Sequence, residues 1–177
     1  MPRLNVIDPK SADGKVKKLF DGPLNGKHLN IFKGMANSPA ALNAYLALSE
    51  ALEDGLLTLK EREVISLALA EANDCGYCRA AHTFVGKQAG LTEQETVAAR
   101  QGRLSDTRLN ALAQFTQRLT EKRGFVSDKD LGDLRAAGYG DGHIAEAVAV
   151  YALNTYTNYF NHVNETDVDL PAAPPLP

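Results

Sequence analysis

The sequence predicts an all-α protein, and three observations carry that prediction. Segment after segment opens on a helix-starting pattern: Ser38-Pro39, Thr58 with Glu61, Thr92 with Glu95, and Ser127 with Asp130. Apolar residues recur inside these segments at the spacing of one helix face. No stretch alternates apolar and polar residues with period two, and no hairpin turn is flanked by β-branched runs.

Taken in order, residues 1–10 read as an extended lead-in ending in Asp8-Pro9-Lys10. Ser11 to Leu24 forms a short helix with Val16, Leu19 and Phe20 inward, interrupted at Gly22-Pro23, and His28 to Asn37 is a second short candidate. Ser38 and Pro39 open a helix through Leu42, Tyr45, Leu46 and Leu52 to Gly55, which reads as a left-handed stop. The Thr58/Glu61 capping box opens the next, carrying Val64, Ile65, Leu67, Ala68 and Leu69 until Asn73-Asp74 breaks it. A further helix bears both cysteines and runs to Gly90, and the segment capped by Thr92 ends at Gly102. Ser105 starts a helix through Leu109, Leu112, Phe115 and Leu119 to Gly124, and Ser127 another that stops at Gly138. Asp141 caps a long apolar helix, Ile144 to Val163, which fits the centre of the fold or a subunit interface. His162 sits near its end as a C-terminal cation, and the stripe of Tyr151, Tyr156, Tyr159, Phe160, Asn158 and Asn161 reads as core with a polar edge. Residues 1–170 are expected to form one helical domain, and the Pro-rich tail 171–177, which cannot continue a helix, is either loose or a strap on a neighbouring subunit.

A worn internal repeat is also suggested. Glu63-Val64-Ile65-Ser66-Leu67-Ala68-Leu69 is echoed by Glu146-Ala147-Val148-Ala149-Val150-Tyr151-Ala152. Counting on equally from Glu63 and Glu146 sets Cys75 opposite Asn158 and Cys78 opposite Asn161.

Composition bounds the function. The chain has 177 residues, 44% of them hydrophobic and 23% charged, which suits a soluble domain able to bury its own core. A formal net charge of -3 argues against a nucleic-acid partner. Nothing approaches the apolar length of a membrane span, and Met1 to Asp8 has no signal-peptide core, so a cytoplasmic protein is expected. In a reducing compartment, the close pair Cys75 and Cys78 suits redox or metal chemistry better than a structural staple.

Cys75-Gly76-Tyr77-Cys78 is followed by Arg79-Ala80-Ala81-His82. Cys78 and His82 are four residues apart, on one face of a helix, and a thiol beside an imidazole near a helix start is disposed to ionise. Zinc would need a second ligand pair, but His28, His143 and His162 are scattered singly, so no metal is expected. A c-type haem would need His where Arg79 stands, and a thioredoxin-like site should follow a strand rather than a helix; no cofactor is expected. Two readings stay open: a pair of buried thiols and a redox-active dithiol. The spacing of His82 favours the second. Folding the two helices back on each other about Asn73-Asp74 would set Glu63 opposite His82, where a carboxylate fixes the imidazole's tautomer and raises its basicity.

Glu63 followed by Cys75-x-x-Cys78-x-x-x-His82, with Ala80-Ala81 before the histidine, resembles the alkylhydroperoxidase D (AhpD) core of the carboxymuconolactone decarboxylase superfamily. The resemblance is strongest over residues 58–90. It extends through Ser38-Pro39 and Gly90-Leu91-Thr92 to the longer peroxidase-related members. It implies an AhpD-like helical fold, a homo-oligomer and thiol peroxidase activity on hydrogen peroxide or organic hydroperoxides. By the same resemblance Cys78 is the peroxidatic thiol, Cys75 the resolving thiol, and His82 with Glu63 a proton relay. An external dithiol, lipoyl-linked or thioredoxin-like, would regenerate the pair. Tyr77 stands where the best-known pattern has a second histidine, and as an aromatic it either packs against the motif or hydrogen-bonds within it. Two rival functions remain: a redox sensor without turnover, and a decarboxylase of the kind the superfamily name suggests, whose members lack such a dithiol.

Overall fold

Nine helices and no strand make up the chain in the computed structural model, which describes residues 1–177. They are α1 (Gly14–Asp21), α2 (Asn30–Met35), α3 (Pro39–Glu53), α4 (Leu59–Ala72), α5 (Gly76–Gln88), α6 (Glu93–Gln101), α7 (Thr107–Glu121), α8 (Asp128–Ala136) and α9 (Asp141–Asn164). The expected all-α class holds. Ser38 caps α3, and complete capping boxes start α4 at Thr58/Glu61, α6 at Thr92/Glu95 and α8 at Ser127/Asp130. No helix is long and apolar enough to cross a membrane.

The first two helices are shorter than expected, Gly14–Asp21 and Asn30–Met35, and three further boundaries differ, each for a local reason. The cap of α7 is Asp106 rather than Ser105, because the Asp106 carboxylate reaches the backbone N–H of Leu109 at 3.0 Å. The last helix begins at Asp141 itself, with Gly140 in the cap position, so Asp141 is a first-turn anion rather than a cap. Gly55 is not a left-handed stop. A Cβ there would collide with the Glu146 carboxylate, and the glycine leaves room for that carboxylate to accept the N–H groups of Leu56 and Leu57 at 2.6 and 3.1 Å.

Helix α4 lies at the centre, packed against α5, α6, α7 and α9. Every residue from Glu63 to Ala70 is buried, the pattern of a helix enclosed on all sides rather than of one with a wet face. Val64, Ile65, Leu67 and Ala68 join a core with Leu112 and Phe115 of α7 and Val150 of α9. Ala70 joins a second core with Phe20, Phe32 and Leu42, and this second core also contains Cys75, Tyr77 and Cys78.

Charged residues on so enclosed a helix need partners. Glu61 accepts from the Thr58 N–H and hydroxyl at 2.9 and 2.8 Å, from Arg108 Nη2 at 3.0 Å and from the Tyr139 hydroxyl at 3.0 Å. Arg62 donates to the carbonyls of Leu52 and Leu57 at 2.6 and 3.0 Å, binding α4 to the end of α3. Burial opposes ionisation of Glu61, but its donors, Thr58 first and then Arg108 and Tyr139, outweigh it and hold the carboxyl below the ordinary value of 4.5. A carboxylate with a depressed folded-state pKa stabilises the fold above its unfolded value, and that contribution is lost as pH falls through the lower folded value. Glu61→Gln should therefore cost about 1–3 kcal/mol in urea melts at neutral pH. The difference from wild type should shrink as the pH is taken below 4.5.

Candidate active site

The turn between α4 and α5 builds the site. Asn73 ends α4, and Asp74 takes a left-handed backbone with φ 52°. That conformation suits an Asp, and an ion pair between Asp74 Oδ1 and Arg79 Nη2 at 3.0 Å holds it. The Cys75 N–H returns to the Ala70 carbonyl at 2.9 Å, reversing the chain. Cys75 then caps α5 with its sulfur, which accepts the Cys78 N–H at 3.2 Å. The two cysteines are joined as a disulfide, their Cα atoms 5.2 Å apart. Both are buried, at 1% and 2% exposure.

Residues on the two sides of the turn meet across it. Glu63 Oε2 lies 2.9 Å from His82 Nδ1, and nearer the turn Glu71 pairs with Arg79 at 3.4 Å. Glu63 is the more enclosed partner, with its side chain 9% exposed against 20% for that of His82. A carboxylate on Nδ1 places a proton there and leaves Nε2 of a neutral imidazole free to accept one. Tyr45 of α3 lies close enough to feel the Glu63 charge: burial, then that charge, push its phenol pKa up despite a hydrogen bond with Ser49.

The structure thus brings Glu63 to His82 and Cys75 to Cys78, with Cys78 and His82 one turn apart on α5. No hydrogen bond links His82 to Cys78 in the disulfide form. The Cys78 sulfur instead receives the Nδ2–H of Asn161, from α9, at 3.4 Å. One turn earlier, Asn158 Oδ1 accepts from Asn73 Nδ2 at 3.1 Å, tying α9 to the turn as well. Sequence reasoning assigned both asparagines to a polar edge. The signal that pointed to them was the equal count from Glu63 and Glu146, which set Cys78 against Asn161.

Tyr77 packs in the second core, and its hydroxyl faces away from the sulfur chemistry. It donates to Asp169 Oδ1 at 2.8 Å, while Asp169 Oδ2 takes the Asn30 N–H at 2.7 Å. Burial, with the Asp169 carboxylate adding to it, pushes the phenol pKa far above its ordinary value of 10, so Tyr77 stays a neutral donor. The tail touches its own chain. Arg100 Nη1 donates to the Pro174 carbonyl at 2.6 Å and Arg100 Nε pairs with Glu71 at 2.8 Å.

Residues 39–121 match the carboxymuconolactone decarboxylase family. In fold the chain is similar to an uncharacterized peroxidase-related protein with an alkylhydroperoxidase AhpD core from Ralstonia eutropha JMP134. The TM-score is 0.84 and the identity 23%, over 95% of this chain and 92% of that one. A peroxidase-related protein from Silicibacter sp. TM1040 follows at TM-score 0.76 and 24% identity, covering 93% of this chain and 92% of that one. A cysteine-to-alanine variant of the debrominase Bmp8 with 2,3,4-tribromopyrrole has the same fold at TM-score 0.78 and 16% identity, over 96% and 94% of the two chains. No curated protein matches the chain in sequence. The family match covers residues 39–121, and the likeness to these solved structures is one of fold.

Tyr77→Phe should loosen residues 167–170 without disturbing the sulfur pair. Amide exchange there should speed up about 10- to 150-fold, the equivalent of one hydrogen bond to a charged group. Unchanged exchange would show that the phenol does not anchor the tail.

Proposed function

We propose that this chain is a thiol peroxidase that reduces hydrogen peroxide or organic hydroperoxides and is regenerated by an external dithiol. The observation that carries the reading is the Cys75–Cys78 pair at the start of a helix whose next turn bears His82, braced by Glu63 at 2.9 Å. In the reduced protein His82 Nε2 draws the proton from Cys78, and Glu63 stabilises the resulting imidazolium. The thiolate attacks the terminal peroxide oxygen: the S–O bond forms, the O–O bond breaks, and the sulfur becomes a sulfenic acid. The departing alkoxide or hydroxide takes the proton held by His82. Cys75 then displaces water from the sulfenic acid and closes the disulfide, which an incoming dithiol reopens by exchange. A lipoyl-linked or thioredoxin-like reductant fits that last step, and a reducing cytoplasm is the setting in which it can recur.

The fold shared with a debrominase supports a second reading. Replacing a C–Br bond by C–H consumes two electrons and a proton and releases bromide, and two thiols closing to a disulfide supply both electrons. Bromide release from 2,3,4-tribromopyrrole, measured beside peroxide loss, separates the two.

With dihydrolipoamide or thioredoxin as reductant, wild type should consume hydroperoxide and Cys78→Ser should not. Cys75→Ser should accumulate a sulfenic acid trappable by dimedone. His82→Ala should slow the peroxide step by about 10²–10⁴. Turnover surviving in Cys78→Ser would overturn the assignment.

A homo-oligomer is part of the proposal. On α9, Ala145, Val148, Ala152, Tyr156, Tyr159 and Val163 recur at three- and four-residue steps, and all are exposed. That spacing is the seam along which helices of two copies interlock. Tyr159→Glu should shift the light-scattering mass to that of one chain, 19.1 kDa, with the helical spectrum kept.

A further inference from the structure

Three side-chain polar atoms are shielded from solvent and have no hydrogen-bond partner: Thr83 Oγ1 on α5, and Asn158 Nδ2 and Asn161 Oδ1 on α9. Buried polar atoms are almost always paired, because an unpaired one forfeits its hydration without return. The two on α9 belong to carboxamides that bond to the Asn73–Cys78 segment, and are therefore a feature to account for. Asn161 is the one that touches the chemistry. It is 5% exposed, and its Nδ2–H points at the Cys78 sulfur from 3.4 Å. A disulfide sulfur is a poor acceptor, whereas a thiolate is a strong one, so this donor is placed for the reduced, ionised state.

We propose that Asn161 is a catalytic residue: its Nδ2–H holds the Cys78 thiolate, and its unpartnered Oδ1 accepts the O–H of the incoming hydroperoxide. The inference rests on Cys78 being the attacking thiol. One planar carboxamide then does two things at once. Its nitrogen lowers the energy of the attacking sulfur. Its oxygen, beside that nitrogen, accepts a hydrogen bond from the O–H of the very oxygen to be attacked, and the proton stays on that oxygen. Peroxides with no O–H, such as dialkyl peroxides, lack this handle, so the substrate class is hydrogen peroxide and monoalkyl hydroperoxides. Asn158, its own Oδ1 held by Asn73, offers its free Nδ2–H one turn away on the same helix face. That donor suits the second peroxide oxygen, on which charge develops as the O–O bond breaks. The step balances as before: S–O forms, O–O breaks, the hydroperoxide proton stays on the new sulfenic acid, and the alkoxide takes the proton from His82.

The test uses full-length Cys75→Ser protein, so that Cys78 reacts alone, with Asn161 intact, Asn161→Ala or Asn161→Asp. Iodoacetamide alkylation against pH reports the thiolate without any peroxide. Dimedone-trapped sulfenic acid reports the rate with tert-butyl hydroperoxide and hydrogen peroxide. Asn161→Ala should raise the pH midpoint of alkylation by about one unit. Asn161→Asp, which exchanges the N–H donor for an anion in the same volume, should raise it further. That order is one that a loss of packing alone does not produce. At pH values where every variant is fully ionised, alkylation rates should converge while Asn161→Ala still reacts with hydroperoxide about 10-fold or more slowly. An unshifted alkylation midpoint in both folded variants overturns the thiolate role. Equal peroxide rates at full ionisation overturn the substrate role. If the Asn161-intact protein forms no sulfenic acid with either hydroperoxide, the peroxidase reading itself fails, and the substrate role of Asn161 with it. The alkylation profile still decides the thiolate role.

Discussion

A helix wrapped on every side has no solvent in which to leave a charge, and that constraint organises this protein. Helix α4 supplies the middle of the fold, yet it carries Glu61, Arg62, Glu63 and Glu71 among its apolar residues. Each is answered by a different neighbour. Glu61 meets Arg108 of α7 and Tyr139 ahead of α9, and Arg62 takes the carbonyl of Leu52 in α3 and that of Leu57 in the loop after it. Glu63 meets His82 of α5, and Glu71 meets Arg79 of α5 and Arg100 of α6. The same need for compensation that positions the surrounding helices thus also delivers a carboxylate to an imidazole beside two sulfurs. The candidate site costs the fold little beyond what a buried charged helix already requires.

Local chemistry was the legible part of the sequence. Capping boxes at Thr58, Thr92 and Ser127 depend on side chains three residues apart, and those helices start where the pattern says. The Glu63–His82 meeting was legible for a related reason: a reversal at Asn73-Asp74 brings similar depths of α4 and α5 side by side. Asn161 could not be assigned in that way. Its approach to Cys78 depends on how α9, a helix far along the chain, is seated against α5, and no local pattern encodes that. The same holds for Gly55, whose missing Cβ serves Glu146 from α9 rather than the end of its own helix. It holds too for Tyr77, whose partner is Asp169.

Glu63 and Glu146 begin similar apolar runs, but the structure gives them unlike employment. Glu63 holds a histidine, and Glu146 closes the loop after α3 by accepting two backbone N–H groups. Where the first run leads to Cys78, the second leads to Asn161, and those two side chains touch. The polar and sulfur-bearing ends of the two runs therefore converge on one place, while their glutamates face different elements. One run brings the reactive atoms and the other the amides that surround them.

Helix α5 begins on sulfur. Oxygen caps such as Thr58 and Ser127 are redox-inert and hold their helices alike in reducing and oxidising surroundings. The Cys75 cap is different, because its hydrogen bond to the Cys78 N–H is made by an atom whose charge and bonding change with every electron pair gained or lost. A thiolate holds an amide far better than a disulfide sulfur does, and the positive end of a helix favours the thiolate in turn. The first turn of α5 is therefore the one stretch of secondary structure in this protein whose firmness is tied to the ambient reduction potential.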